Sequence, residues 1–355
     1  MDAAVKKKLL DAAKNKLKKQ FGEDFILDAE KPQNYEVIPS GSLLFDQAVG
    51  NGGIPLGRIT EIFGLESCGK TTLATCLMVQ AQKKYPDRMV LFLDLEQAFS
   101  PEYARQFELD TSSDKFMFIQ PGSYEEAFTS MEELIATGLF SLVVYDSVPA
   151  GLPQYVLEKG LDQETIGVLA KKLSTGLNRL KNVISEANTA VLFINQMYEK
   201  ISFMGGTDTK GGKSLKYYSS IRIQLTKRDL VVDENDKEKI AGQGLKFQVR
   251  KNKVAEPYKT GETMFYFGKG FDTVSEVVDV AVEKGFISKG GAWFTFTVDN
   301  DSKKPTEMKF QGKDKVVAFF RESEKDYQYY LKLVQDSLAN VVAIDEKIVG
   351  KDEED

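Results

Sequence analysis

The stretch Gly64-Leu65-Glu66-Ser67-Cys68-Gly69-Lys70-Thr71 constrains this chain more than any other. It lies between the apolar run Ile59-Thr60-Glu61-Ile62-Phe63 and a helix-like stretch from Thr72 to Lys84. A strand, a glycine-containing turn and a helix N-terminus in that order aim backbone N–H groups and a helix dipole at one point, where a nucleotide's phosphates can sit. Lys70 then reaches the β- and γ-phosphates and the Thr71 hydroxyl ligates Mg²⁺. The nucleotide-binding set read here is Gly64, Glu66, Ser67, Cys68, Gly69, Lys70, Thr71 and Thr72.

Composition narrows the chemistry open to that turn. The chain has no histidine, which excludes imidazole acid–base catalysis and His-containing metal sites. Catalysis must use carboxylates, lysines, amides and a bound cation. Cys68 and Cys76 fall on a predicted turn and helix, separated by roughly 12 Å of helical rise, so they cannot bridge. The 355 residues suggest about two domains. No apolar run approaches the ~18 residues needed to cross a membrane, and the N-terminal Lys6-Lys7-Lys8-Leu9-Leu10-Asp11 lacks a signal peptide's apolar core, so a cytoplasmic protein without membrane contact is expected. The net charge of −6 argues against a surface coated throughout in basic charge.

Along the chain, residues 3–21 place Leu9, Leu10, Ala13, Leu17 and Phe21 at helical spacing among seven lysines. This basic amphipathic helix packs either on its own domain or on a neighbouring subunit. From Ile59 to Phe267 short β-rich runs alternate with helical stretches, the pattern of an α/β fold with a mainly parallel central sheet. The runs are Ile59–Phe63, Met89–Asp94, Phe116–Ile119, Leu142–Asp146 and Ala190–Asn195, with a long helix expected over Gln163 to Ala187. Ile221–Leu225, Leu245–Val249 and Thr263–Phe267 follow without long helices between them, and are expected antiparallel at the sheet's edge. After Gly270, a helix over Val274 to Lys284, a strand over Trp293 to Val298 and helical sequence over Ala318 to Leu338 suggest a small α+β domain. The expected organisation is an N-terminal helix and linker (1–34), a nucleotide-binding core (35–270), a C-terminal domain (271–340) and a charged tail (341–355).

Several residues can carry chemistry. Leu142 to Asp146 is an apolar strand ending in an acid, placed to hold the water shell of Mg²⁺. Glu96 follows the run Leu91-Phe92-Leu93-Asp94-Leu95 and is either a solvated loop acid or one that orients the water attacking the γ-phosphate. Tyr103, in Pro101-Glu102-Tyr103-Ala104-Arg105, can stack on a base or simply pack. Ala190 to Asn195 ends at Gln196, able to bond the γ-phosphate and so couple nucleotide state to loop order. The loop that follows, Met197 to Gly212, carries Lys200, Phe203, Lys210, Gly211 and Gly212. Positive charge, an aromatic for stacking and glycines for mobility suit single-stranded nucleic acid, and equally an active-site lid. Arg250-Lys251-Asn252-Lys253 is either a solvated turn or a set of cations offered to a phosphate.

Together, Ser40-Gly41-Ser42-Leu43, Gly53 to Ile59, the phosphate turn, Phe193-Ile194-Asn195-Gln196, Lys251-Asn252-Lys253 and Gly291-Ala292-Trp293 resemble the RecA family of recombinases, over about residues 4 to 297. The resemblance implies a RecA-like P-loop ATPase core that uses ATP and Mg²⁺, binds single- and double-stranded DNA, forms helical filaments and exchanges strands. Glu96 matches the catalytic glutamate, Tyr103 the adenine-stacking tyrosine and Gln196 the glutamine that senses γ-phosphate. Lys251 and Lys253 match lysines that reach a neighbouring subunit's ATP. DNA-binding loops are implied at about Leu157 to Gly167 and Met197 to Gly212, with Lys213 directly after the second. Single-stranded-DNA-binding and loader proteins are the partners this implies. Tyr198, Ser100 and Lys213 depart from residues common in bacterial members, and the sequence beyond Trp293 departs more broadly. The pattern is that of a divergent member, with a cellular or a phage gene both open. The competing readings are a ring-forming helicase with the same core and a nucleotide-switched scaffold that coats single-stranded DNA.

Overall fold

The computed structural model describes residues 2–22, 25–26, 35–154, 156, 168–199, 207–232, 239–299 and 305–348. Contacts divide the chain into two compact units, Met1–Tyr35 and Glu36–Asp355. The first holds α1 (Ala3–Phe21), the helix its apolar spacing predicts. Asp2 caps it by accepting from the Ala4 N–H at 3.3 Å, and Lys18 and Lys19 lie in the last turn, where the helix dipole favours cations.

In the second unit, β1 (Val37–Ile38) and β2 (Ile54–Pro55) pair antiparallel around α2 (Leu43–Val49). Then come β3 (Ile59–Gly64), α3 (Lys70–Lys84), β4 (Met89–Asp94), α4 (Pro101–Arg105) and β5 (Phe116–Ile119). They are followed by α5 (Tyr124–Ala136), β6 (Phe140–Asp146), α6 (Val168–Glu186) and β7 (Ala190–Glu199). The five strands β5-β4-β6-β7-β3 lie side by side, every pair parallel.

β8 (Thr207–Thr209) returns antiparallel on β7, and α7 (Ser214–Tyr218) leads into β9 (Ile221–Val232). Here the structure corrects the sequence reading, because β9 lies parallel to β3 rather than antiparallel at the edge. A parallel crossover needs a dozen or more residues but not a long helix, and β8 with α7 supplies it. Only β10 (Ile240–Asn252), β11 (Thr260–Tyr266) and β12 (Gly270–Phe271) continue the sheet antiparallel.

Successive side chains of a strand point to opposite faces. Leu142 and Val144 of β6 pack in one cluster with Leu73 and Leu77 of α3. Val143 and Tyr145 pack in another with Met131 of α5 and Leu173, Leu177 and Leu180 of α6. All of β6 is buried, which is why it reads as an unbroken apolar run.

The C-terminal elements are α8 (Thr273–Glu283), the antiparallel strands β13 (Ser288–Gly290), β14 (Trp293–Asp299) and β15 (Pro305–Gln311), and helices α9 (Lys313–Glu322) and α10 (Glu324–Ile348). Their own cluster includes Val277, Phe296, Phe320 and Tyr330. The helical stretch expected over 318–338 is two helices, interrupted at Ser323, whose hydroxyl donates to Asp326 at 2.5 Å. α10 runs to Ile348, past residue 341, where the sequence reading begins the tail. The α2 N-terminus is tied to α8: Glu276 accepts from the Ser42 hydroxyl and the Leu43 N–H, both at 2.7 Å.

Candidate active site

Parallel strands end on one edge of a sheet, and the register here aligns four of those ends. Gly64 on β3 pairs with Gln196 on β7, and Asp94 on β4 with Asp146 on β6. The phosphate turn, two acids and the head of the polar loop therefore share the carboxyl edge of adjacent strands, the usual place for a ligand in such sheets.

Within the turn, Ser67 (φ 55°) and Gly69 (φ 85°) adopt left-handed backbone, which directs successive N–H groups toward a common point. Gly69 begins α3 with no side-chain cap, leaving the first N–H groups of the helix available to an anion. Leu65, Glu66 and Ser67 are exposed, Cys68 is buried, and Thr72 is half-buried. Lys70 Nζ donates to the carbonyls of Gly64 at 3.2 Å and Leu65 at 2.7 Å.

The Thr71 hydroxyl donates to Asp146 Oδ2 at 2.7 Å. Burial pushes the Asp146 carboxyl up to about 7; the Thr71 hydroxyl and Lys70 oppose that rise, while Glu96 and Asp94 add to it. A hydroxyl beside a carboxylate that the protein alone struggles to ionise is a donor set suited to Mg²⁺, since a hard cation takes oxygen ligands and favours the charged form.

Glu96 is held from two sides. Its Oε1 accepts from Gln196 Nε2 at 3.1 Å and from the Ser147 hydroxyl. The Leu95 N–H donates to the Asp146 carbonyl at 2.7 Å, fixing the backbone just before it. Ser147 and Asp94 escape the sequence reading. Asp94 is buried and accepts from the N–H groups of Ala98 at 3.3 Å and Phe99 at 3.1 Å and from Gln120 Nε2 at 3.2 Å, shaping the turn that carries Glu96. Its signal was present: β4 ends in Leu93-Asp94 as β6 ends in Tyr145-Asp146.

Ser100, one of the departures from the bacterial pattern, caps α4 by accepting from the Tyr103 N–H at 3.1 Å. Tyr103 itself is exposed, with its ring edge-on to Phe107 at 5.2 Å. Lys210 lies 4.8 Å over the ring of Tyr198. Gly211 and Gly212 have φ of 81° and 71°. A Cβ on Gly211 would stand 2.8 Å from Leu173 and 2.9 Å from Val148, so close packing as well as its left-handed backbone calls for glycine here. Lys213 is exposed just before α7. Lys200, Phe203 and the loop at 157–167 lie outside the described residues.

Lys251 and Lys253 stand apart from the turn in their bonding. Lys251 Nζ donates to the carbonyls of Lys216 at 2.5 Å and Tyr217 at 3.1 Å, and Lys253 Nζ to that of Tyr217 at 3.2 Å. These carbonyls end α7, where cations are favoured. Burial, then the charges of Lys253 and Arg222, bring the Lys251 ammonium down to about 8.

A family model of the RecA N-terminal domain matches residues 8–272. The chain belongs to the RecA family. Protein RecA of Chlorobaculum tepidum is 39% identical over 322 residues, 89% of each chain. Protein RecA of Thermus aquaticus is 38% identical over 321 residues, 89% of this chain and 90% of the relative. That of Ruminococcus albus is 39% identical over 299 residues, 83% of this chain and 73% of the relative. As a RecA family member the chain is a recombinase of DNA recombination and repair, and DNA-dependent ATPase activity, ATP with Mg²⁺, DNA binding and oligomerisation belong to the family in general terms. No helix among the described residues is long and apolar enough to cross a membrane.

Proposed function

We propose that the chain assembles as a helical filament on single-stranded DNA, pairs it with homologous duplex, and hydrolyses ATP at subunit interfaces. One observation carries the reading: Gln196, at the head of the polar loop, is both the register partner of Gly64 and a hydrogen-bond donor to Glu96. A residue so shared makes loop order and hydrolysis respond to each other.

In this reading the backbone N–H groups of 66–71 hold the phosphates, and Lys70 exchanges its bonds to the Gly64 and Leu65 carbonyls for phosphate oxygens. Thr71 and Asp146 would hold Mg²⁺. The cation, when bound, neutralises charge that develops on the phosphates. Glu96 orients water, with Gln196 and Ser147 fixing its carboxylate. Tyr103 receives the base. Lys251 and Lys253 serve the neighbouring subunit's ATP, Lys200, Phe203, Lys210, Gly211, Gly212 and Lys213 serve DNA, and α1 is a subunit contact. The divisions 1–34, 35–270, 271–340 and 341–355 are the working organisation, and single-stranded-DNA-binding and loader proteins the expected partners.

Electron microscopy with single-stranded DNA and a non-hydrolysable ATP analogue tests this. Extended helical filaments are expected, and closed six-membered rings would replace the reading with that of a helicase. DNA affinity should also fall as salt rises, because phosphate contacts release counterions.

A further inference from the structure

Three polar residues stand in or beside the sheet next to this site and take no part in the assignments above. Glu61 lies in β3, three residues before the phosphate turn, and is fully buried. Its register partners are Phe193 on β7 and Arg222 on β9. An unpaired carboxylate there would cost several kcal/mol, so its neighbours must satisfy it. Arg222 donates Nε–H to Oε2, and Asn195 Nδ2 donates to Oε1 at 2.9 Å. Asn195 pairs with Phe63, which makes it the diagonal neighbour of Glu61, within reach of a polar side chain.

Asn195 then spends its remaining capacity on two other places. Nδ2 also donates to the Lys210 carbonyl at 3.0 Å, and Oδ1 accepts the Gln196 N–H at 2.9 Å. One buried amide thus touches the strand bearing the turn, the closing end of the polar loop and the backbone of Gln196. Arg222 reinforces the same link. Its Nη2 reaches the Thr209 hydroxyl at 3.5 Å, and its guanidinium lies 4.5 Å over the ring of Phe63, the residue before the turn.

We propose that Glu61, Asn195 and Arg222 are a positioning unit that ties Thr209 and Lys210, at the closing end of the polar loop, to the strand that carries the phosphate turn. Ordering the loop on DNA then reaches hydrolysis through Asn195. The proposal rests on the recombinase reading for the identity of the loop's ligand. Its physical basis is that Glu61, Asn195 and Thr209 are buried, and that the Asn195 amide joins Glu61, the Lys210 carbonyl and the Gln196 N–H by hydrogen bonds. A displacement of the Lys210 carbonyl strains its bond to the buried Asn195 amide, which has no spare partner among those named. Asn195 in turn fixes the Gln196 peptide, whose side chain holds Glu96.

The test uses the full chain with Asn195→Leu, which removes both donors and the acceptor, and Arg222→Lys, which keeps the charge but loses the planar fork. ATP-analogue affinity and DNA-independent hydrolysis should stay within about twofold of the unsubstituted chain, while stimulation by single-stranded DNA falls about tenfold in N195L and about threefold in R222K, the range expected of residues that modulate coupling. Unchanged stimulation in both variants overturns the proposal. So does loss of nucleotide binding in step with stimulation, which marks a merely structural role. If N195L is recovered unfolded, R222K decides alone. If the unsubstituted chain shows no DNA stimulation, the recombinase reading has failed, and nucleotide protection of Lys210 from trypsin decides instead: equal protection in wild type and variant overturns the tie.

Discussion

The phosphate turn and the Lys251/Lys253 pair are built on opposite principles. Around the turn, side chains of unlike chemistry already answer one another, Thr71 to Asp146 and Gln196 and Ser147 to Glu96. The two lysines instead crowd like charge together, and their hydrogen bonds run to the carbonyl end of α7 rather than to any acid. A region that satisfies itself is ready to bind a small ligand. One that concentrates repelling charge gains when an outside anion arrives, and in a head-to-tail assembly the next subunit can supply it.

The sharpest way to break that contrast is to disable each half separately. Lys70→Ala and the double change Lys251→Ala with Lys253→Ala should each lower DNA-stimulated hydrolysis by about 10³-fold or more, as loss of a phosphate cation does. Mixed in equal amounts, the two inactive proteins should recover about one quarter of wild-type turnover, because one in four heterologous interfaces carries both intact halves. No recovery would place both halves within one subunit. Next in size, Glu96→Ala should leave ATP binding intact, slow hydrolysis by about 10²-fold or more and lengthen filament lifetime. Normal turnover in that variant would remove Glu96 from its role.

Protons distinguish the regions more finely. Asp146 titrates near 7 in the protein, above its ordinary 3.8, so folding favours its neutral form and that contribution to stability is lost as pH rises through about 7. Mg²⁺·ATP favours the carboxylate, so calorimetry in buffers of different ionisation enthalpy should detect proton release at pH 6.5 that fades by pH 8.5 and is absent in Asp146→Asn. Lys251 runs the other way, since its ammonium is lost above about 8. Acylation at pH 8 should mark it ahead of lysines that titrate normally, and assembly with nucleotide should protect it. The smallest effect concerns thiols: burial raises both Cys68 and Cys76, the latter to about 12, so native protein at pH 8 should react with thiol reagents far more slowly than denatured protein.

Much of this was legible in the sequence because the central strands are buried on both faces and read as unbroken apolar runs, with the acids falling where those runs stop. Asp146 and Glu96 were read that way, and Lys70 and Thr71 from the glycine-containing turn between a strand and a helix. The direction of β9 could not, since it depends on a crossover whose short pieces, β8 and α7, carry no strong periodicity. Gly211 shows a related limit: close packing on Leu173, a left-handed backbone and chain mobility all call for glycine, and one sequence does not tell them apart. Glu61 and Arg222 did leave a trace, as single charges inside Ile59–Gly64 and Ile221–Leu225. A charge in an apolar run needs a partner, and the partner is set by register, which one strand alone does not specify.

The clasp of Glu276 on the start of α2 has a consequence for how the protein is made. The Leu43 N–H and the Ser42 hydroxyl find this partner 233 and 234 residues later in the chain. At 5–20 residues per second, a ribosome needs roughly 10–50 s to reach it. Every strand of the large sheet is made before the acid that closes α2, so completion of this corner falls late in synthesis, and a message truncated before codon 276 should yield a chain that chaperones retain.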